Sequence, residues 1–131
     1  MDGGCLCGAI RYCISGTPLS AEYCHCRMCQ KVAGAAFANW LDLRVEQLQW
    51  LAENPVEYQS SEHIRRGFCG TCGSTLSFRS TEHPKYIGTT IASLDNPNLV
   101  EPSLHIYVES QVAWLSLNDS CDRYTRERKK H

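Results

Sequence analysis

The sequence lacks any apolar stretch of membrane-spanning length and carries almost no net charge. No segment approaches the roughly 20 consecutive apolar residues that a transmembrane helix needs. A formal net charge of -1 gives no cationic surface for a polyanion. No apolar leader follows Met1, so we expect the chain to stay in a reducing, cytoplasmic compartment. We therefore expect neither a membrane nor a nucleic acid as a partner.

Cysteine, in contrast, is abundant, and the chain has nine. Seven of them form three tight groups, Cys5-x-Cys7, Cys24-x-Cys26-x2-Cys29 and Cys69-x2-Cys72. An odd total cannot pair completely, and spacings of two or three residues suit chelation of a metal better than a disulfide. Cys13 and Cys121 have no partner at chelating spacing, so we assign neither to a metal. The three groups together predict metal binding.

The three groups supply seven sulfur donors, enough for one complete tetrahedral zinc site and one site with an open position. Structural zinc sites close all four positions with protein ligands, whereas catalytic sites leave one for water or substrate. Gly8, Gly70 and Gly73 stand where the backbone must turn so that its amides face the sulfurs. The donor count therefore predicts two zinc ions per chain, one structural and one catalytic, and favours an enzyme.

Short segments of alternating apolar and polar residues, separated by glycine, proline and asparagine, recur along the chain. This pattern is typical of a mainly β protein, and no repeat or linker divides it into more than a single domain. One short helix is predicted to start within Cys26–Val32. The predicted strands are Ile10–Ile14, Ala35–Leu41, Val56–Gln59, Ile64–Phe68, Thr75–Arg79, Tyr86–Ser93, Leu104–Tyr107 and Val112–Leu117.

The only cluster of basic residues in the sequence lies at the C-terminal end, where Arg126, Arg128, Lys129 and Lys130 follow one another closely. A terminal run of this kind is typical of a solvated, disordered end. We therefore predict one domain over residues 1–124 and a short disordered tail over residues 125–131.

Three sequence motifs follow one another in a distinctive order. They are Gly4-Cys-Leu-Cys-Gly-Ala-Ile-Arg-Tyr12, Tyr23-Cys-His-Cys-Arg-Met-Cys-Gln30 and Phe68-Cys-Gly-Thr-Cys-Gly-Ser-Thr-Leu76. With Ala33–Trp40 and His105–Tyr107, they resemble the glutathione-dependent formaldehyde-activating enzyme family, which also contains centromere protein V-like members. The resemblance spans roughly residues 3 to 124.

The resemblance implies an Mss4-like zinc-binding β fold. It assigns the seven grouped cysteines to two ions, a structural zinc on Cys5, Cys7, Cys69 and Cys72 and a catalytic zinc on Cys24, Cys26 and Cys29. The implied activity is that of a carbon-sulfur lyase, which joins glutathione to formaldehyde as S-(hydroxymethyl)glutathione or cleaves that adduct. The alternative is a non-catalytic zinc protein that carries glutathione or acts as an interaction module.

Three thiolates on one Zn²⁺ leave the complex with a formal charge of -1, which weakens the metal as a Lewis acid. Such a site is poorly suited to activating water. A thiol that takes the fourth position can lose its proton there and be held as a thiolate beside a small aldehyde. Because the aldehyde is reactive by itself, orientation and local concentration could supply most of the rate gain.

Two histidines stand near the motifs. His25 lies between two cysteines of the catalytic group, and we expect it to hydrogen-bond to backbone rather than to bind the metal. His105 is expected to be a core or surface histidine, with lining of the site as the alternative.

Glutathione carries two carboxylates that arginine or lysine could meet. Five cations lie near the motifs in sequence, although a solvated surface charge is the simpler interpretation of each: Arg27, Lys31, Arg65, Arg66 and Arg79. Trp40, Trp50 and Trp114 are expected to build the core. Trp40 follows the catalytic motif closely enough to form a wall of its pocket as well.

Overall fold

Short strands make up most of the structure, a computed structural model that describes residues 1–128. The helical segments are α1 (Arg27–Ala33) and 3-10 turns at Val45–Gln47, Ile91–Ser93, Pro97–Leu99 and Val108–Ser110. The strands are β1 (Asp2–Gly4), β2 (Arg11–Ile14), β3 (Ser20–Cys24), β4 (Ala38–Arg44), β5 (Leu48–Trp50), β6 (Val56–Gln59), β7 (Ile64–Phe68), β8 (Thr75–Ser80), β9 (Tyr86–Thr90), β10 (Leu104–Ile106) and β11 (Asp122–Arg123).

The strands of residues 1–128 form two sheets. The smaller sheet has the order β1-β2-β5 and is antiparallel. The larger sheet has the order β11-β10-β3-β4-β9-β8-β7-β6, with β10 parallel to both β3 and β11 and all other pairs antiparallel. This architecture confirms the prediction of a mainly β, single-domain protein.

Apolar residues of both sheets form the main core. Tyr12, Leu41, Leu43 and Leu76 have no exposed surface and belong to one cluster that also contains the cysteines Cys5 and Cys69. Burial of a leucine side chain contributes about 1.5–3 kcal/mol. The core therefore surrounds one cysteine group directly. A second, smaller cluster surrounds another group and contains Cys24, Cys29, Ala38, Trp40, Leu104 and Ile106.

Helix α1 is short, and its ends are defined by side-chain and backbone caps. Cys26 is the N-cap, and its sulfur accepts a hydrogen bond from the Cys29 amide at 3.3 Å. Gly34 ends the helix in the left-handed conformation with φ 60°, which glycine adopts without steric cost. The helix confirms the prediction within Cys26–Val32. It places Cys29 on the buried face, one turn from Cys26.

The strand prediction differs from the structure in several places: β1, β5 and β11 were not predicted, and Ile91–Ser93 forms a 3-10 turn instead of a strand. Two further differences are larger. Ser20–Cys24, which we did not predict, forms the central strand β3 between β4 and β10. Val112–Leu117, which we did predict, contains no strand, and Trp114 is 76% exposed. A polar sequence such as Ser-Ala-Glu-Tyr-Cys has weak strand propensity, so neighbouring strands rather than local preference determine β3.

The C-terminal segment begins inside the folded domain. The amide of Tyr107 donates to the carbonyl of Arg126 at 3.1 Å, and the amide of Glu109 donates to that of Thr125 at 3.4 Å. Thr125 and Arg126 are therefore held by backbone hydrogen bonds, in contrast to the predicted disordered tail. The remainder of that prediction, residues 129–131, lies outside the described residues.

Substitution of Gly67 by alanine tests the packing between β7 and β8. A Cβ atom on Gly67 would lie 2.0 Å from Oγ of the buried Ser77 and 3.1 Å from Cβ of Pro55. We expect Gly67→Ala to lower the free energy of unfolding by about 1–3 kcal/mol, because a crowded core must shift to admit the methyl group. Denaturant unfolding measures the loss. In a Ser77→Ala background the loss should be clearly smaller, and equal losses in the two backgrounds would contradict the contact.

Candidate metal centres

The first cysteine group joins the beginning of the chain to the turn between β7 and β8. Cys5 and Cys7 follow β1, Cys69 and Cys72 follow β7, and the four sulfur atoms all lie within 4.8 Å of one another. Two separations are 3.5 Å for Cys5–Cys7 and 3.8 Å for Cys7–Cys69. A tetrahedron with zinc-sulfur distances of about 2.3 Å has edges of about 3.8 Å. The four sulfurs therefore fit a tetrahedral zinc ion.

Backbone amides point at the sulfurs of this group. The Ile10 amide donates to Cys5 Sγ at 3.2 Å, and the amides of Thr71 and Cys72 each donate to Cys69 Sγ at 3.4 Å. A hydrogen bond from Ser74 is the main cause that lowers the pKa of Cys72 to about 5. Such donors stabilise thiolates, which are the form of cysteine that binds metals.

The second cysteine group, which we call the trio, comprises Cys24, Cys26 and Cys29. Cys24 ends β3, Cys26 caps α1 and Cys29 lies in its first turn. Their sulfurs also lie within 4.8 Å of one another, and Cys24 and Cys29 are almost fully buried. Among the described residues, no other His, Cys, Asp or Glu belongs to this group. The trio could therefore supply three donors to a metal ion.

The pKa values of the trio diverge because the three thiols share their protons. Hydrogen bonds with Cys24 and then Cys29 lower the pKa of Cys26 to about 2. The hydrogen bond to Cys26 is the main cause that raises the pKa of Cys24. Two adjacent thiolates repel each other, so one thiol ionises at the expense of its neighbour. A divalent cation removes this repulsion, and the donor set therefore fits zinc.

A cavity of about 420 Å³ opens at the trio. Its apolar wall includes Trp40 and Phe78, whose rings pack with centroids 5.8 Å apart, together with Ile106 and Tyr107. Tyr107 adopts a left-handed backbone with φ 57°, a conformation that costs energy for a residue other than glycine and is often found at functional sites. The cavity is large enough for a small peptide, and all three cysteines of the trio line it.

Charged groups of both signs also line this cavity. Among residues 1–128, the cations in its lining are Arg27 and Arg128, and the carboxylates are Glu22, Asp42, Glu109 and Glu127. Arg128 was predicted to lie in the disordered tail, so its place at the cavity was not expected. The nearby sequence motifs gave a signal for Arg27 but none for the carboxylates.

Arg66 is the cation that contacts the trio. The residue is 5% exposed, and its Nη1 lies 3.5 Å from Cys29 Sγ. Nε donates to Ser60 Oγ at 3.1 Å, and the guanidinium lies 5.1 Å from the centroid of Phe78. Within residues 1–128, no carboxylate forms a salt bridge with it. A buried positive charge needs a counter-charge, and the Cys29 sulfur is an acidic group in contact with it.

The other predicted cations lie elsewhere. Arg79 forms an ion pair with Glu57 at 2.6 Å, and Arg65 donates to the carbonyls of Glu62 and Ile64. Lys31 is exposed on α1. The structure therefore brings two of the five, Arg27 and Arg66, to the trio and its cavity. Sequence proximity alone could not separate these two from the rest.

His25 and His105 form a buried pair behind the trio. Both side chains have no exposed surface, and His25 Nε2 and His105 Nδ1 are hydrogen-bonded at 2.8 Å. His25 also donates its backbone amide to the Ile106 carbonyl at 3.0 Å. Burial, and then the neighbouring His105, lower the pKa of His25 to about 4. The ring thus contacts another histidine rather than backbone, a contact between residues 80 positions apart that no local pattern could reveal.

A third group of possible ligands contains His105, Asp119 and Cys121. Asp119 Oδ2 lies 3.0 Å from His105 Nε2, and the ligand atoms of the three residues lie within 4.8 Å of one another. The hydrogen bond to His105 is the main cause that lowers the pKa of Asp119 to about 2. Spacing in the sequence had given Cys121 no partner. In the structure its partners are His105 from β10 and Asp119 from the loop before β11.

The tryptophans differ in their surroundings. Trp40 is 4% exposed and both packs in the second core cluster and lines the cavity. Trp50 is partly buried against the main core and stands edge-on to Tyr12 with centroids 5.6 Å apart. Trp114 is exposed, so the prediction that it builds the core is wrong.

Fold and site together define a β-rich protein with two cysteine groups that could hold metal ions. The family model for glutathione-dependent formaldehyde-activating enzyme matches residues 1–110. The chain belongs to this family, which is named as an enzyme family acting on glutathione and formaldehyde.

A solved structure is also similar. It is the crystal structure of a Rhodobacter sphaeroides protein, a Northeast Structural Genomics target, with a TM-score of 0.63 and 28% sequence identity. The similarity covers 78% of this chain and 97% of that chain. It confirms the predicted Mss4-like fold. In residues 1–128, no helix has both the length and the apolar character that crossing a membrane requires.

Proposed function

We propose that the protein is a zinc-dependent carbon-sulfur lyase that acts on adducts of a small thiol, glutathione or a similar molecule, with an aldehyde such as formaldehyde. In this proposal Cys5, Cys7, Cys69 and Cys72 hold a structural zinc, and the trio holds a catalytic zinc. The observation that carries the proposal is the trio itself, three sulfur donors with an open fourth position at a 420 Å³ cavity.

The reaction is an addition that needs no external redox partner. A carbon-sulfur bond forms between the thiol sulfur and the aldehyde carbon, the carbonyl π bond breaks, and the thiol proton ends on the aldehyde oxygen. When bound, zinc supplies a position at which a thiol loses its proton. Trp40 and Phe78 exclude water beside that position, and Arg66 supplies a fixed positive charge next to the Cys29 sulfur.

The charges around the cavity fit a zwitterionic peptide thiol. Arg27 and Arg128 can meet carboxylates, and Glu127 can meet an ammonium group, whereas Glu109 is already paired with Arg126 at 2.9 Å. Glutathione carries both kinds of group. This mixed lining supports a thiol of that class over a purely anionic or purely apolar one.

Arg27→Gln tests the binding of substrate carboxylates. The side chain is exposed at the cavity, and its Nη1 donates to Gln30 Oε1. We expect KM for glutathione to rise about 10-fold with little change in kcat, because one charge-assisted hydrogen bond contributes about 1.5–3 kcal/mol. Steady-state kinetics provides the measurement. Lys31→Gln on the same helix is the matched control, and an unchanged KM in Arg27→Gln would contradict this assignment.

Arg66→Met tests the counter-charge to the trio. We expect the affinity of the trio for zinc to fall about 10- to 100-fold, because residues that contact metal ligands have effects of this size. Competition with a chromophoric chelator measures the affinity. Arg65→Met is the control, since Arg65 is the neighbour in β7 and donates only to backbone carbonyls among its described hydrogen bonds. Equal zinc affinity in Arg66→Met and Arg65→Met would contradict a role for Arg66.

The central experiment measures adduct formation directly. Zinc-loaded protein is mixed with glutathione and formaldehyde, and the exchange between free aldehyde and adduct is followed by NMR exchange spectroscopy. We expect the exchange rate to increase in proportion to protein concentration. Binding of glutathione without any rate increase would reject the enzyme and favour the carrier. The proposal also includes a reducing, cytoplasmic compartment, since the trio must remain reduced to bind its metal.

A further inference from the structure

We propose that His105, Asp119 and Cys121 form a third metal site, which takes a divalent transition ion of the Zn²⁺ or Co²⁺ type and lies outside both cysteine groups. The site is independent of the proposed reaction. The three residues offer one nitrogen, one oxygen and one sulfur, with all ligand atoms within 4.8 Å of one another. The sulfur atoms within each of the two cysteine groups also lie within 4.8 Å of one another.

The three donors come from two elements that pair with each other. His105 lies in β10, and Asp119 and Cys121 lie in the loop that leads into β11, the strand paired with β10. His105 is fully buried, whereas the Asp119 side chain is 31% exposed. An ion between them would be held from within the protein and still be reached from solvent, so its fourth position would be filled by water.

Hydrogen bonds from neighbouring residues fix the orientation of the Asp119 carboxylate and the His105 ring. Asp119 Oδ1 accepts the Cys121 amide at 2.9 Å and lies 3.3 Å from Arg123 Nη1, which leaves Oδ2 directed at His105 Nε2. The opposite ring nitrogen of His105 is hydrogen-bonded to His25. Metal-binding carboxylates and histidines have such partners on their remaining atoms, because these fix the orientation of the ligand.

The Arg123 side chain also shapes the loop that carries two of the donors. Its guanidinium donates to the carbonyls of Leu117 at 3.0 Å and Cys121 at 2.7 Å. The positive charge of Arg123 opposes that of a bound cation. Two anionic donors, the Asp119 carboxylate and the Cys121 thiolate, would offset the charge of a divalent ion.

Metal binding exchanges hydrogen bonds for coordination and releases one proton. The Asp119 Oδ2 contact with His105 Nε2 is replaced by a metal between the two atoms, which leaves Nδ1 as the ring nitrogen of His105 that can hold a proton. His105 donates to His25 Nε2 in that state. Cys121 Sγ, which now donates to the Pro102 carbonyl at 3.5 Å, loses its proton to solvent. A sulfur and a nitrogen donor select a transition ion over Mg²⁺ or Ca²⁺.

Cobalt binding to the zinc-loaded protein tests the site. The protein is first loaded with two equivalents of zinc per chain, enough to fill the two cysteine groups, and one equivalent of Co²⁺ is then added. We expect the near-ultraviolet absorption that thiolate-bound Co²⁺ produces, without release of zinc into solution. The Cys121→Ser variant should lose this band, and Asp119→Asn should weaken Co²⁺ binding about 10-fold or more. Cys13→Ser, which removes a cysteine outside all three groups, should retain the band.

Three results would overturn the third site. The first is the absence of a thiolate band in the zinc-loaded wild-type protein, and the second is its persistence in Cys121→Ser. The third is a band accompanied by release of an equal amount of zinc, which would place the cobalt in a cysteine group. Far-ultraviolet circular dichroism of each variant verifies that the fold is retained. None of these outcomes depends on whether the protein is an enzyme.

Discussion

Substitution of Cys29 by serine is expected to abolish adduct formation and to leave the fold intact. Cys29 is one of three sulfur donors in the trio, and a serine hydroxyl at this buried position is a far weaker zinc ligand than a thiolate. We expect the exchange rate to fall at least about 100-fold, because even residues behind the ligands cost 10- to 100-fold when removed. The same NMR exchange measurement detects the change.

Metal content and folding separate this result from general damage. The Cys29→Ser variant should contain one zinc fewer than the wild-type protein and have a nearly unchanged near-ultraviolet circular dichroism spectrum. The main core cluster, which includes Tyr12, Leu41 and Leu76, contains none of the trio's cysteines. Wild-type exchange rates in Cys29→Ser would show that the trio does not catalyse the reaction.

Substitution of Cys69 by serine is expected to unfold the protein, in contrast to Cys29→Ser, which should lose activity and keep its fold. Cys69 is 1% exposed and joins the β7–β8 turn to the cysteines that follow β1. Structural zinc supplies about 10–16 kcal/mol of apparent binding energy in small domains, and a typical protein has only about 5–15 kcal/mol of stability. We therefore expect Cys69→Ser to be largely unfolded at room temperature, as measured by circular dichroism and thermal unfolding.

Cys13→Ser is the matched control for that substitution. Cys13 lies in β2 and is half-buried, yet it belongs to none of the groups of possible metal ligands in residues 1–128. Its replacement should change the free energy of unfolding by less than about 1 kcal/mol. A Cys69→Ser protein that unfolds at the same temperature as Cys13→Ser would rule out a structural role for the four-cysteine group.

The cysteine groups that could hold metal ions were predictable from sequence, because cysteines that chelate one ion are often close together in the chain. Cysteines two or three residues apart in a turn can face the same ion, so the grouping of seven cysteines already indicated four donors and three. The approach of the Cys5-x-Cys7 pair to the Cys69-x2-Cys72 pair, by contrast, brings Cys7 next to Cys69 across 62 positions of the chain. Donor counting left that pairing open, and the family resemblance supplied it.

The surroundings of the trio were much less predictable. Arg66 reaches Cys29 from β7, and His25 meets His105 from β10, contacts that depend on the order of strands in the larger sheet. The strand β3, which positions Cys24, contains the buried Glu22 and has little of the alternation that identifies strands. Backbone pairing with the neighbouring strands β4 and β10 stabilises it. Val112–Leu117 shows the reverse case, since apolar residues there find no strand to pair with within the described chain.

The number of sulfur ligands per zinc tests the central claim most directly. X-ray absorption at the zinc edge, on Cys121→Ser protein loaded with two equivalents of zinc, reports the average coordination of both ions. The unequal division of four and three cysteines predicts an average of about 3.5 sulfurs per zinc, rising to about 4 when glutathione is added. An average of four sulfurs before any thiol is added, or no increase with glutathione, would contradict the account.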